Sequence, residues 1–80
     1  MTPPKVNSAT GQPRILIAED DSLLAETVHD FLIQEGFVAS VAADGLAALQ
    51  IAADTPFDVL LTDLRMPGID GVELIRRLRS

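Results

Sequence analysis

Two stretches of this chain carry an apolar run directly into carboxylates. In Asp58-Val59-Leu60-Leu61-Thr62-Asp63-Leu64-Arg65-Met66-Pro67-Gly68 the run ends at an isolated Asp63 and a turn, and Ile15-Leu16-Ile17-Ala18 ends at Glu19-Asp20-Asp21. Read as strands of one parallel sheet, both runs deliver acids to the carboxyl-end rim, where open α/β sheets bind their ligands. Several acids converging there without a local base suggest a divalent cation. Mg²⁺ typically takes one or two carboxylates, several waters and phosphate oxygens. Such an ion would neutralise the repulsion between an incoming phosphate and Asp63, whereas clustered acids alone resist simultaneous ionisation. A carboxylate can itself be a nucleophile that takes a phosphoryl group as an aspartyl phosphate. In-line phosphoryl transfer depends chiefly on positioning and charge neutralisation, so few other groups are needed.

The elements that must hold these acids are legible in the apolar spacing. Residues 14–18 are apolar without alternation, as in a parallel strand covered on both faces. From Ser22 to Glu35, Leu24, Val28, Phe31 and Leu32 recur at helical spacing. Asp21 or Ser22 suits the start of that helix and Gly36 its end. Phe37 to Ala42 reads as a second strand, and Asp44-Gly45 turns into an Ala-rich helix that reaches about Asp54 and stops before Pro56. Asp58 to Thr62 is the third strand. Asp70 with Glu73 three residues later forms an aspartate capping box ahead of a helix bearing Val72, Leu74, Ile75 and Leu78. Arg76, Arg77 and Arg79 then occupy the negative end of that helix. The order βαβαβα implies an α/β fold with a parallel sheet and right-handed crossovers. Residues 1–13, with Pro3, Pro4, Gly11 and Pro13 and almost nothing apolar to bury, read as a disordered leader before a domain over 14–80.

Composition narrows the function classes. Eighty residues allow one small domain, which buries only roughly 60% of the surface its unfolded chain exposes. A net charge of -6 and the absence of Lys and Arg between Arg14 and Arg65 disfavour a nucleic-acid surface. The scarcity of aromatics removes the stacking platforms that single strands need. With no cysteine there is no disulfide, thiolate nucleophile or thiolate metal site. No apolar stretch approaches the roughly 20 residues of a membrane span, and no signal-peptide core is present, so the expected location is the cytoplasm.

Taken together, Ile15-Leu16-Ile17-Ala18-Glu19-Asp20-Asp21, Gly36-Phe37, Asp44-Gly45 and Asp58 through Asp63 to Met66-Pro67-Gly68-Ile69-Asp70-Gly71 resemble the response regulator receiver domain of two-component signalling. The resemblance covers nearly everything after Pro13. It implies a flavodoxin-like doubly wound sheet, here βαβαβα with strand order 2-1-3. It also implies that Asp63 is the phosphoacceptor, that Glu19 and Asp20 are the acidic pair binding Mg²⁺, and that the backbone carbonyl of Arg65 is a further metal ligand. Asp21 competes with Glu19 for the pair; the family pattern favours Glu19 and Asp20. The implied partner is a sensor histidine kinase or phosphotransfer protein, and the chain would be a phosphorylated acceptor in a phosphorelay rather than an enzyme.

Each residue also has an ordinary use. Asp20 or Asp21 could merely cap a helix, Asp63 could form a turn before Pro67, and His29 lacks any surrounding motif and reads as an ordinary partly exposed side chain. Gly68 and Gly71 read as serving backbone geometry. The resemblance stops at the third helix. The family's fourth and fifth strands, with the Ser or Thr and the Lys that contact the phosphoryl group, have no counterpart here, so the domain is expected to be incomplete and its phosphotransfer impaired. The third strand is then an exposed edge, and self-association through it is expected. Two rival functions remain. One is a non-switching interaction module derived from a receiver domain. The other is an aspartate-nucleophile phosphohydrolase, disfavoured because Leu64-Arg65 follows Asp63 where such enzymes resemble Asp-x-Asp. Dinucleotide binding lacks its Gly-x-Gly-x-x-Gly.

Overall fold

The computed structural model describes residues 11–79. Most of the leader expected over residues 1–13 lies outside them. At its end Pro13 already joins the sheet, its carbonyl accepting from the Val38 N–H at 3.0 Å.

Strands and helices alternate as β1 (Arg14–Ala18), α1 (Ser22–Gln34), β2 (Val38–Ala42), α2 (Gly45–Asp54), β3 (Val59–Thr62) and α3 (Gly71–Arg79). The sheet is parallel, in the order β2-β1-β3. β1 is central because it alone is apolar enough to be covered on both faces, and Ile15 to Ala18 are all buried. On one face Leu16, Ala18 and Ala42 meet Ala48 of α2 and Leu74 of α3, with Met66 beside them. On the other face Ile15 and Ile17 pack with Leu32 and Val28 of α1. Helices on both faces make the sheet doubly wound. Leu16 and Leu74 are the largest fully buried side chains, each worth roughly 2–3 kcal/mol of apolar transfer.

Every helix starts on an aspartate that caps it. Asp21 accepts from Leu24 N–H at 3.1 Å, Asp44 from Ala47 N–H at 2.8 Å, and Asp70 from Glu73 N–H at 2.9 Å. The expected capping box at α3 forms only in this half, because Glu73 turns its carboxylate forward to Arg76 and Arg77 at 3.1 and 3.2 Å. An i,i+3 and an i,i+4 cation together outcompete the reach back to the cap. α1 stops one residue earlier than its spacing suggests. Glu35 caps it, and Gly36 at φ +91 turns the chain out through a conformation that only glycine adopts readily. β3 begins at Val59, since Asp58 spends its side chain on the Arg14 N–H at 2.7 Å, closing the amino end of the sheet.

Not all apolar positions of α1 reach the core. Leu32 and Ala25 are buried, but Leu24 and Phe31 remain 49% and 58% exposed. Leu24 faces Leu61 of β3 across an open cleft, and among the described residues no further element covers Leu24 or Phe31.

Candidate functional site

Register places the acids. Ala18 lies opposite both Ala42 and Thr62, so the next residues on β1 and β3, Glu19 and Asp63, emerge at one height. Both are held there by the backbone: Glu19 N–H donates to the Ala42 carbonyl at 3.0 Å and Asp63 N–H to the Ala18 carbonyl at 3.0 Å. As a result Glu19, Asp20 and Asp63 each offer a carboxylate oxygen within 4.8 Å of one another. Asp21 is not in this group. Its side chain is occupied at the α1 cap, and its N–H donates to Glu19 Oε2 at 3.1 Å. Arg65 comes to the same loop through its backbone, with its N–H donating to Asp63 Oδ1 at 3.1 Å.

The electrostatics are those of an uncompensated anion cluster. The Asp21 N–H acts to lower the pKa of Glu19, but burial, a hydrogen bond that the protonated Glu19 carboxyl donates to the Asp20 carboxylate, and the charges of Asp63 and Asp20 together raise it above its ordinary value of 4.5. The ion pairs of His29 with Asp30, and of Arg76 and Arg77 with Glu73, do not reach the cluster. Three hard oxygen donors, mutually repelling and facing water, fit Mg²⁺.

An open cavity of about 360 Å³ runs from the cluster down the α1 side of β3, between Leu24 and Val28 on the helix and Ile17 and Leu61 on the sheet. Its mouth is acidic and its walls are apolar. His29 lies on the opposite flank of α1, half-buried, with Nδ1 3.1 Å from Asp30 Oδ1, and it takes no part in the cluster.

Apart from the Arg65 carbonyl and the family motif, the sequence marked the segment after Asp63 only as a turn. In the structure Met66 is buried in the core cluster on the α2/α3 face and anchors the loop from below. Gly71 N–H donates to the Leu64 carbonyl at 3.2 Å and fastens the loop to α3. Methionine is a common gap-filler, but nothing in its position revealed which face it would fill.

The sequence model described as the response regulator receiver domain matches residues 15–80. The chain belongs to this family, whose members act in two-component signalling. It is 38% identical over 66 residues to a probable transcriptional regulator, ycf29, of Porphyra purpurea, covering 82% of this chain and 32% of that protein. It is 39% identical over 67 residues to the transcriptional regulatory protein TctD of Salmonella typhimurium, covering 84% and 30%. The chain thus spans about a third of the length of these curated relatives. Among solved structures, Vibrio cholerae chemotaxis protein CheY4 superposes with a TM-score of 0.83 at 31% identity, over 85% of this chain and 57% of that one. Thermotoga maritima TrrA, solved in complex with Mg²⁺ and BeF, gives 0.81 at 31% identity, over 85% and 59%. The fold is therefore the flavodoxin-like receiver fold, represented here by its β2-β1-β3 strands and three helices. Receiver domains as a family are phosphorylated by histidine kinases and bind Mg²⁺. Among the described residues no helix is long and apolar enough to cross a membrane.

Proposed function

We propose that this chain is a phosphoacceptor: Asp63 takes a phosphoryl group from the phosphohistidine of a cytoplasmic sensor kinase or phosphotransfer protein. The observation that carries the reading is the meeting of Glu19, Asp20 and Asp63 within 4.8 Å, away from the ion pairs that His29, Arg76 and Arg77 make among the described residues. Glu19, Asp20, Asp63 and the Arg65 backbone carbonyl would hold Mg²⁺, which when bound offsets the repulsion between carboxylate and phosphate. The Arg65 N–H engages Asp63 Oδ1 and so leaves Oδ2 to attack. A lone pair on that oxygen forms the new O–P bond as the P–N bond to the donor imidazole breaks, and the imidazole leaves with the electron pair. The product is an acyl phosphate on Asp63. Asp63 is consumed as an acceptor in each transfer, so the chain is a signalling domain and not a turnover enzyme.

Among the described residues no strand pairs with the outer edge of β3, where Leu61 is 41% exposed, and such an apolar edge favours self-association by inviting a second strand.

Incubation with Mg²⁺ and acetyl phosphate tests the acceptor role. The expected result is an acid-stable, hydroxylamine-labile mass gain of one phosphoryl group in the wild type and none in Asp63→Ala. Equal labelling of both proteins rules the assignment out. Steady phosphate release from varied esters would instead favour a hydrolase.

A further inference from the structure

The loop between β3 and α3 carries Asp63 and Arg65, and two glycines bound its position. Gly71, the first residue of α3, is buried. A Cβ placed there would collide with the Asp63 carbonyl oxygen and lie 2.9 Å from Leu64 Cα and 3.0 Å from the Asp63 carbonyl carbon. All three are backbone atoms, which cannot rotate aside. Gly45, the first residue of α2, is buried as well. A Cβ there would stand 2.6 Å from the Ile69 carbonyl oxygen and 2.8 Å from Ile69 Cβ. Among the described residues the positive-φ glycines are Gly11, Gly36 and Gly68, so backbone conformation does not demand glycine at 45 or 71. Contact does. Gly68 is the reverse case, with φ +77 and open space around it.

From this we infer that Gly71, and more weakly Gly45, are positioning residues for the acceptor site: their missing side chains let α3 close onto the Asp63–Leu64 backbone and α2 onto Ile69, farther along the same loop. Asp63 cannot retreat from an added methyl group, because its N–H is tied into the sheet at Ala18. The strain must pass either to α3, breaking the Gly71 N–H bond to the Leu64 carbonyl, or to the Asp63–Leu64 peptide. Turning that peptide carries away the Arg65 N–H that orients the Asp63 carboxylate. A displacement of about 1 Å at a reacting group costs on the order of 10²-fold in rate.

The rate prediction rests on Asp63 being the phosphoacceptor; metal binding and hydrogen exchange do not. Gly71→Ala, Gly45→Ala and Gly36→Ala are compared under conditions where each is folded by circular dichroism. Gly36→Ala is the control, because it strains a backbone at φ +91 far from the rim with nothing within 4 Å. In Gly71→Ala, labelling by acetyl phosphate is expected to slow by about 10²-fold, the calorimetric Mg²⁺ affinity to weaken, and the Arg65 amide of the metal-free protein to exchange faster. Gly45→Ala shows smaller changes of the same kind, and Gly36→Ala none beyond its loss of stability. The inference is overturned if Gly71→Ala keeps wild-type Mg²⁺ affinity and Arg65 exchange, or if Gly36→Ala impairs all three as much. Should the wild type take no label at all, the acceptor reading falls, while exchange at Arg65 still decides the role of Gly71.

Discussion

On the α2/α3 side of the sheet, Leu16, Ala18, Ala48 and Leu74 are at most 1% exposed, and Met66 closes the layer under the Asp63 loop. On the α1 side, Ile15, Ile17 and Leu32 are buried, yet Leu24 and Leu61, which line the cavity that leads to the acids, stay 49% and 41% exposed, and Phe31 farther along α1 stays 58% exposed. The two faces therefore divide the labour. The closed face fixes where the Asp63 loop stands, through Met66 and the contacts of Gly45 and Gly71. The open face has the smaller buried cluster, and it borders the site and the outer edge of β3, which no described strand pairs.

The largest effect expected from this contrast is on stability. Leu74→Ala leaves a cavity in the closed layer and should cost about 2–5 kcal/mol, a large share of the few kcal/mol available to a chain of this size. Its midpoint in a denaturant titration should fall far below that of the wild type. Leu61→Lys, on the open side, should change that midpoint by less than about 1 kcal/mol while converting a self-associated wild type to a monomer in light scattering. A monomeric wild type, or equal losses for the two variants, would erase the distinction between the faces.

A smaller effect concerns charge at the rim. Glu19 has its pKa raised in the folded chain, so the folded state holds that proton more tightly than the unfolded state. Below the ordinary value of 4.5 both states are protonated at Glu19 and it exacts no penalty. As pH rises through the raised value, the charged group destabilises the metal-free protein. Glu19→Gln should remove this loss, leaving the metal-free variant the more stable at neutral pH, and should weaken Mg²⁺ binding by about tenfold, or ~1.4 kcal/mol. Thermal melts across pH, with and without Mg²⁺, measure both. A variant that is less stable without metal, or that binds Mg²⁺ unchanged, would place Glu19 outside the site.

Much of this arrangement was legible in advance. The apolar run Ile15–Ala18 behind Arg14 marked the first strand, and Asp21 or Ser22, Asp44 and Asp70 marked the helix starts, because these are local signals. Glu19, Asp20 and Asp63 could be singled out as strand-end acids, but their meeting depends on the register of Ala18 with Thr62, which no local pattern fixes. The same holds for Gly45 against Ile69, a contact between residues far apart in the chain. Glu73 shows a different limit: a capping box and a pair of arginines competed for one carboxylate, and only geometry chose. Leu24 and Phe31 fitted the helical stripe, yet spacing cannot say whether a neighbouring element covers it.

The central claim is that Asp63 itself carries the phosphoryl group. Reduction of the labelled protein with borohydride converts an aspartyl phosphate to homoserine, and peptide sequencing by mass spectrometry then locates it. The account predicts homoserine at position 63 alone, dependent on Mg²⁺. Homoserine at position 20, label on His29, or a mass gain that survives without a divalent cation would contradict it.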